Sequence, residues 1–494
     1  MIYDPNSNIV VKNSTYFDDF KVTKEKDSLK NQIFVLLLDK KFREATELVV
    51  KHLKVERTFF TIRSDVKEEI WVYDQGIYIP EGKTYIKEYC RIFLDDKFTN
   101  YLVNEVVSKI AVDTYININT FFNQSPKDKI PVLNGVLNLK TGELEDFTPS
   151  YIFFVKINSF YDVNKDCLNI KSFFNTLLKK EDIPAMQELF GYCLWKDNFT
   201  ETSFLFRANG SNGKSKTMEL LKMFLSPDNC VSIPLQQLEG YNNFNIIEVH
   251  NKLVNIAGEL SSSALKETQM FKLLTGRDFV TANRKFLTPL TFVNYSKFIF
   301  SCNERPPTYD FSDGFFRRWI VFYFKNKFVD KDIFDSLENK EGYCLKDANI
   351  IDKISSKEEF SGLLNWSLKG LQRLLINKKF SNTKGTEETR NDWLSDSNNF
   401  VLFFEKYLEL DKGTSISKSD LKNVYVDYCD AAGLDLVSDK RVSWFLSSKG
   451  VSTKRRMRKT QYTEERERCW FGVKFKKGYV DVLGWSLYEG DKNE

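Results

Sequence analysis

Histidine is almost missing from this chain, with only His52 and His250 among 494 residues. Cysteine occurs eight times, at 90, 167, 193, 230, 302, 344, 429 and 469, and no two form a Cys-x-x-Cys pair. A zinc site of clustered thiolates and imidazoles therefore has no basis here, and buried, reduced thiols are expected. Long apolar runs are lacking too. None exceeds the six residues Ile33–Leu38, far short of the roughly 20 that span a bilayer, so no membrane partner is expected. No cationic, apolar, small-residue leader opens the chain, so nothing marks it for secretion, and the expected place is the host cell cytoplasm. Internal repeats and low-complexity tracts are also missing.

What is present is ordinary globular composition, 42% hydrophobic and 28% charged, which excludes wholesale disorder. The length allows roughly two to four domains. The net charge of +4 is unevenly placed. Residues 440–477 hold thirteen Lys/Arg against three Asp/Glu, a balance of +10 that leaves −6 for the rest. A polyanion partner near the C-terminal end is the functional expectation; a solvated basic face is the bland one.

Residues 1–64 read as an extension, with a polar lead-in over 1–28 and one amphipathic helix from Asn31 to Leu53. Residues 65–196 read as a mixed α/β module. Glu69–Ile79 predicts a hairpin, 84–117 a helical stretch, Val132–Leu139 and Tyr151–Ile157 strands, and 168–196 further helices. Residues 197–376 alternate strand-like and helical segments, as an α/β nucleotide-binding core does, and close with an amphipathic helix over 357–376. The polar stretch 377–399 reads as a linker. Residues 400–494 predict helices at about 400–410, 417–432 and 439–449, then a basic strand region. That is the pattern of a winged-helix DNA-binding domain.

The chemistry-bearing motif is Ala208-Asn209-Gly210-Ser211-Asn212-Gly213-Lys214-Ser215-Lys216, set between a strand-like Ser203–Arg207 and a helix from Thr217 to Leu225. Phosphate binding needs this order. Small residues turn backbone N–H groups inward, the helix start adds positive potential, Lys214 reaches the β/γ-phosphates, and Ser215 holds Mg²⁺. Residues 209–216 are thus the expected ATP contacts. The pattern wants Gly where Ala208 stands, a tolerable departure if its φ is negative.

Three later segments add to the loop. The β-run Lys252–Ala257 leads to Glu259, an acid able to polarise water and support Mg²⁺. The strand Phe298–Cys302 ends in Asn303, whose amide suits the attacking water or the γ-phosphate, although Asn there is more often a turn residue. The pair Arg317-Arg318 precedes the β-run Ile320–Phe324 and offers positive charge for phosphoryl transfer.

This ordered set resembles the superfamily 3 helicases, in particular the helicase half of the phage and plasmid primase-helicases that include poxvirus-type enzymes. The resemblance rests on Gly210–Ser215, Lys252–Glu259, Lys272–Asp278, Lys297–Asn303 and Gly314–Trp319. Upstream, Trp71–Tyr73, Gly76–Tyr78, Asn134–Leu139 and Gln187–Tyr192 are similar to the family's pre-helicase domain. It implies an AAA+-type P-loop ATPase core at 197–376 using ATP and Mg²⁺, a homo-oligomeric ring, usually a hexamer, and 3′→5′ movement along DNA. It also implies that one Arg of the pair acts in trans, and Arg318, immediately before the strand, is the expected finger. Gly258 departs from the family's pattern, standing where many relatives carry a second acid.

Phe279–Phe292 reads as a hairpin tipped by Asn283-Arg284-Lys285-Phe286; in the resembled helicases such a hairpin projects into the pore. Arg284, Lys285 and Phe286 are therefore expected DNA contacts, as are Lys454, Arg455 and Arg456 on the basic wing. Residues 1–65 are too few for a primase domain with paired metal-binding acids. The expectation is a helicase of a virus or plasmid acting on single-stranded and forked DNA, without priming activity, alongside a separate primase or polymerase. A DNA-binding initiator ATPase with little unwinding is the alternative. A small-molecule P-loop kinase is argued against by Asn303, Arg318 and the basic C-terminal domain.

Overall fold

The computed structural model describes residues 24–208, 210–239, 244–261, 263–459 and 464–476. The expected lead-in over 1–28 lies largely outside these, as do Asn209 and residues beyond 476.

The N-terminal part packs four helices, Lys24–Leu38, Phe42–Glu56, Gly82–Leu94 and Asn100–Asp113, on a sheet of Phe59–Ile62, Glu69–Asp74, Ile77–Ile79 and Tyr115–Ile116. The single helix expected from Asn31 to Leu53 is two. Lys40 adopts a left-handed φ of 58°, and the Lys41 amide closes on the Leu36 carbonyl at 2.8 Å, which ends the first helix. Phe34 and Phe42 consequently face solvent, while Ala45, Val49 and Leu53 enter the core. The expected hairpin is present, turning at Gln75-Gly76 with both φ values positive. Tyr151–Ile157 is not a strand. It is an extended segment that gives single bonds to two separate sheets, from Tyr78 N to Phe153 O and from Ile157 N to Pro131 O.

The central core is a five-stranded, wholly parallel sheet: β1 (Ser203–Arg207), β2 (Cys230–Val231), β3 (Val254–Ala257), β4 (Lys297–Cys302) and β5 (Trp319–Tyr323), in the order β5-β1-β4-β3-β2. β1 and β4 are buried almost throughout, as parallel strands covered on both faces are. One neighbour is the helix pair Ile183–Leu194 and Lys357–Asn377. A Cβ added at Gly191 would lie 2.2 Å from the Ser367 carbonyl, so only glycine permits this approach.

The expected linker at 377–399 is corrected. It contains a helix, Thr386–Ser397, whose Trp393 is fully buried among Phe315, Phe316 and Trp319 and donates to the Pro306 carbonyl at 2.9 Å. A polar composition conceals an indole and, beside it, Leu394, both buried against the core. Beyond it come helices Phe400–Tyr407, Lys418–Ala432 and Asp439–Ser448, and strands Leu408–Ser417, Ser452–Lys459 and Glu464–Phe475. The three strands form an antiparallel sheet with the last in the middle. The strand Leu408–Ser417 was not expected from the sequence. One apolar core runs without a break from Leu205 and Phe300 through Trp393 to Phe400, Phe445 and Val473.

Candidate functional site

Strand register sets the site. Cys302 pairs with Arg207 and Ala257 with Phe300, so β1, β4 and β3 end side by side. The loop after β1, Asn303 after β4 and Glu259 after β3 therefore share one edge of the sheet. In doubly wound sheets, ligands bind at the C-terminal edge of the strands.

The loop after β1 turns through left-handed backbone. Gly210, Ser211 and Gly213 take positive φ values of 97°, 51° and 84°, whereas Ala208 does not appear among the positive-φ residues. The condition that let Ala replace Gly is met. The φ of Gly213 favours glycine, and a Cβ there would also press on Leu177 Cδ2 at 2.5 Å. Asn212 is buried, and its amide donates to the Asn326 carbonyl at 2.8 Å; Phe328 N reaches Ser211 O at 2.8 Å. Asn212 is thus a loop anchor through its side chain rather than a side-chain ligand. Lys216 faces solvent and pairs with Glu219 at 2.9 Å, away from the loop.

Lys214 opens the helix Lys214–Leu225 and folds back over the loop. Its amine donates to Ala208 O and Cys302 O, both at 2.9 Å, and to Asn303 Oδ1 at 2.7 Å. Partial burial pulls its pKa below the usual lysine value, opposed by nearby Cys302 and Glu259. Ser215 and Glu259 are exposed at the same edge, an oxygen donor set suited to Mg²⁺. A Cβ built on Gly258 meets nothing within 4 Å, so there is room for a second acid where the chain has none.

The arginine pair corrects the sequence expectation. Arg318 is buried and engaged within its own subunit: Nε donates to Thr275 Oγ1 at 3.0 Å, and the remaining nitrogens reach Gly314 O, Lys272 O and Glu201. Its neighbour Arg317 has a side chain 49% exposed and pairs with Glu201 at 2.6 Å. Position in sequence favoured Arg318; burial favours Arg317 as the group able to reach another molecule.

The hairpin is present as Phe279–Arg284 and Leu287–Val293, with Lys285 and Phe286 alone at its tip. Phe286 is 77% exposed and held at φ 61°, a conformation a bulky L-residue rarely adopts. The Lys285 amine lies 5.2 Å from its ring centre. Arg284 is corrected: it is mostly buried and ion-paired with Glu69 of the N-terminal sheet, so it ties the turn end of the hairpin to that sheet. His250 adds to that seam, between Phe122 and Phe292 at 5.0 and 4.8 Å.

On the C-terminal sheet, Lys454 and Arg455 are exposed, and Arg455 stands directly opposite Arg468. Like charges so paired repel and are stabilised by a polyanion. Arg456 is partly buried, opposite Glu467 and 3.3 Å from Ser415 Oγ, and so is less available than expected. Sequence reasoning missed Arg207, Arg305 and Asp396, which join beside the loop. Arg305, two residues past Asn303, was the available signal.

Among the described residues no helix is long and apolar enough to cross a membrane, and no cluster of His, Cys, Asp and Glu suits a metal.

Residues 41–179 match the family "D5 N terminal like", and residues 206–318, from β1 to Arg318, match a family of unknown function, DUF5906. Over 221 residues, 42% of this chain, the sequence is 28% identical to "Putative helicase L207/L206" of Acanthamoeba polyphaga mimivirus. The match spans 23% of that relative's length. Among solved structures, the apo NrS-1 C terminal region aligns over 86% of this chain and 98% of its own, at 11% identity and a TM-score of 0.42. The JCV helicase aligns over 64% and 78%, at 13% identity and a TM-score of 0.23.

Proposed function

We propose that this chain is an ATP-driven DNA helicase of the superfamily 3 kind, with an AAA+-type core, acting in the replication of a virus or plasmid. The observation that carries this reading is the meeting of Lys214, Asn303 and Glu259 at the ends of three adjacent parallel strands, on a loop with phosphate-binding backbone. Sequence likeness to a viral protein named as a helicase supports it.

In this reading Lys214 swings from its carbonyl cage to the γ-phosphate and carries its charge there. Asn303, released from the amine, orients the attacking water, and Glu259 accepts its proton. Bound Mg²⁺, held through Ser215 and Glu259, supplies charge neutralisation for the phosphates. Arg317 completes the site of a neighbouring copy in a homo-oligomeric ring, taken as a hexamer. Lys285 and Phe286 track one DNA strand, by charge on phosphate and by packing against sugar or base. The C-terminal domain, read as a winged helix, holds duplex through Lys454 and Arg455. Priming falls to a separate primase or polymerase.

Forked DNA with either a 3′ or a 5′ single-stranded tail tests the reading. ATP-dependent strand separation on the 3′-tailed fork is the expected result. Turnover without separation on either fork selects the initiator ATPase instead, and no turnover on any DNA contradicts both.

A further inference from the structure

Two arginines flank the proposed ATP site without entering it. Arg207 is the last residue of β1, immediately before the loop, and Arg305 lies two residues beyond Asn303. Their guanidinium groups converge on one carboxylate oxygen of Asp396, Arg207 at 2.8 Å and Arg305 in direct contact. Arg305 is buried; the same Nη1 also donates to the Asp392 carbonyl at 2.9 Å, and Nη2 donates to the hydroxyl of Tyr323, which closes β5. The ends of β1, β4 and β5 are thus gathered on the last turn of one helix, Thr386–Ser397, beside a cleft of about 600 Å³.

That place is unfavourable for an acid on its own, because the C-terminal end of a helix carries partial negative charge. Two guanidinium groups offset this. Were Asp396 removed, the buried Arg305 charge would be left without its counter-ion.

The other side of the same helix end is fastened to the C-terminal domain. Ser397, the next residue, accepts Arg441 Nη1 at 3.0 Å on its carbonyl, and Arg441 belongs to the helix Asp439–Ser448. Only Asn398 and Asn399 separate the two bodies, both buried, and Asn399 Nδ2 donates to Asp435 O at 2.7 Å. A second seam runs parallel: Tyr309, six residues past Asn303, stacks on Trp444 at 3.6 Å, and Phe311 meets Phe445 edge-on. A rotation of the β1 or β4 end therefore has a continuous path, through charged and aromatic contacts, to the helix that leads into the basic wing.

We propose that Asp396 is a positioning residue that transmits nucleotide occupancy at the loop to DNA grip by the C-terminal domain. This rests on the ATPase and DNA-binding reading above. Occupancy shifts Ala208 and Asn303, Arg207 and Arg305 move with them, and Asp396 turns the helix end on which Arg441 is held. A contact that only stabilised the fold would alter unfolding but leave the two ligands' mutual influence intact.

Linkage separates these cases. The affinity of a 20-base-pair duplex is measured with and without saturating AMP-PNP, in the full chain and in Asp396→Asn and Asp396→Glu. In the parent, the nucleotide should change duplex affinity by about fivefold or more. In Asp396→Asn that ratio should fall to within about twofold of unity, while each ligand alone still binds; Asp396→Glu should recover most of it. Where Asp396→Asn does not fold, hydrogen exchange of the parent decides. AMP-PNP should alter protection across 386–397 and 439–448, and unchanged protection there overturns the proposal. An Asp396→Asn protein that keeps the parental ratio also overturns it, as does a parent that binds both ligands independently. A parent that binds neither AMP-PNP nor duplex overturns the functional reading and the relay together.

Discussion

The amine of Lys214 lies 2.7 Å from the side-chain oxygen of Asn303, a residue 89 positions away in the chain. Two strands distant in the chain are brought into register by the sheet, and the contact places a cation and an amide together at its edge. Lys214→Ala should reduce ATP turnover at least about 100-fold with the fold retained, because the loop's own charge on the transferring phosphate is removed. Glu259→Gln should still bind ATP, read by a fluorescent analogue, and lose hydrolysis to a similar extent. Normal turnover in folded Lys214→Ala would remove the loop assignment.

The arginine pair divides into a buried member, Arg318, and an exposed one, Arg317. Arg318→Ala breaks a buried, charged network and should cost about 3 kcal/mol of stability, read by urea unfolding. Arg317→Ala removes an exposed pair and should cost about 1 kcal/mol or less, yet abolish turnover. Lys214→Ala and Arg317→Ala proteins mixed and exchanged should regain activity at roughly a quarter of interfaces under random assembly. A mixture that stays inactive despite demonstrated exchange would count against action in trans.

Phe286 combines high exposure with a left-handed backbone, which for an L-residue costs about 1–2 kcal/mol. Phe286→Gly relieves that conformation, loses little packing, and admits more unfolded-state freedom. Its stability should therefore match the parent within about 1 kcal/mol. DNA stimulation of turnover should nonetheless fall, as it should in Lys285→Ala. Retained stimulation in both variants would make the tip an ordinary surface turn.

These outcomes also show what the sequence could and could not disclose. The loop, Glu259, Asn303 and the hairpin were legible because each follows local rules: glycine spacing, a carboxylate or amide after a β-run, alternation closed by a tip. The roles within Arg317-Arg318 were not, since adjacent residues differ only in which side of the turn is buried. Arg284 read as a DNA contact because its partner Glu69 lies 215 residues away. The segment 377–399 read as a linker because ten of the twelve residues in its helix are polar or charged, leaving Trp393 and Leu394 as its two large apolar side chains. The strand Leu408–Ser417 exists only through pairing with a distant partner, Glu464–Phe475. Tertiary context, rather than propensity, decided each of these.

His250 gives a pH test of the seam between hairpin and N-terminal module. Burial, assisted by the nearby Arg284 charge, pushes its pKa down to about 3. The folded chain thus keeps the imidazole neutral while the unfolded chain protonates it near 6.5. Stability from this residue is whole above pH 6.5 and falls as pH drops toward 3, by at most about 1.4 kcal/mol per pH unit. Urea unfolding at pH 7.5 and 5.0 should show a larger loss in the parent than in His250→Gln. Equal losses would place the imidazole in contact with water.

The central claim is that the edge holding Lys214, Asn303 and Glu259 hydrolyses ATP in response to a DNA strand. Its most direct measurement is steady-state phosphate release by the purified chain with Mg²⁺ and ATP, titrated with single-stranded DNA, beside Lys214→Ala. The account predicts release that rises severalfold to saturation with DNA in the parent and stays at background in the variant. Release that is equal in the two proteins, or that DNA leaves unchanged in the parent, would contradict it.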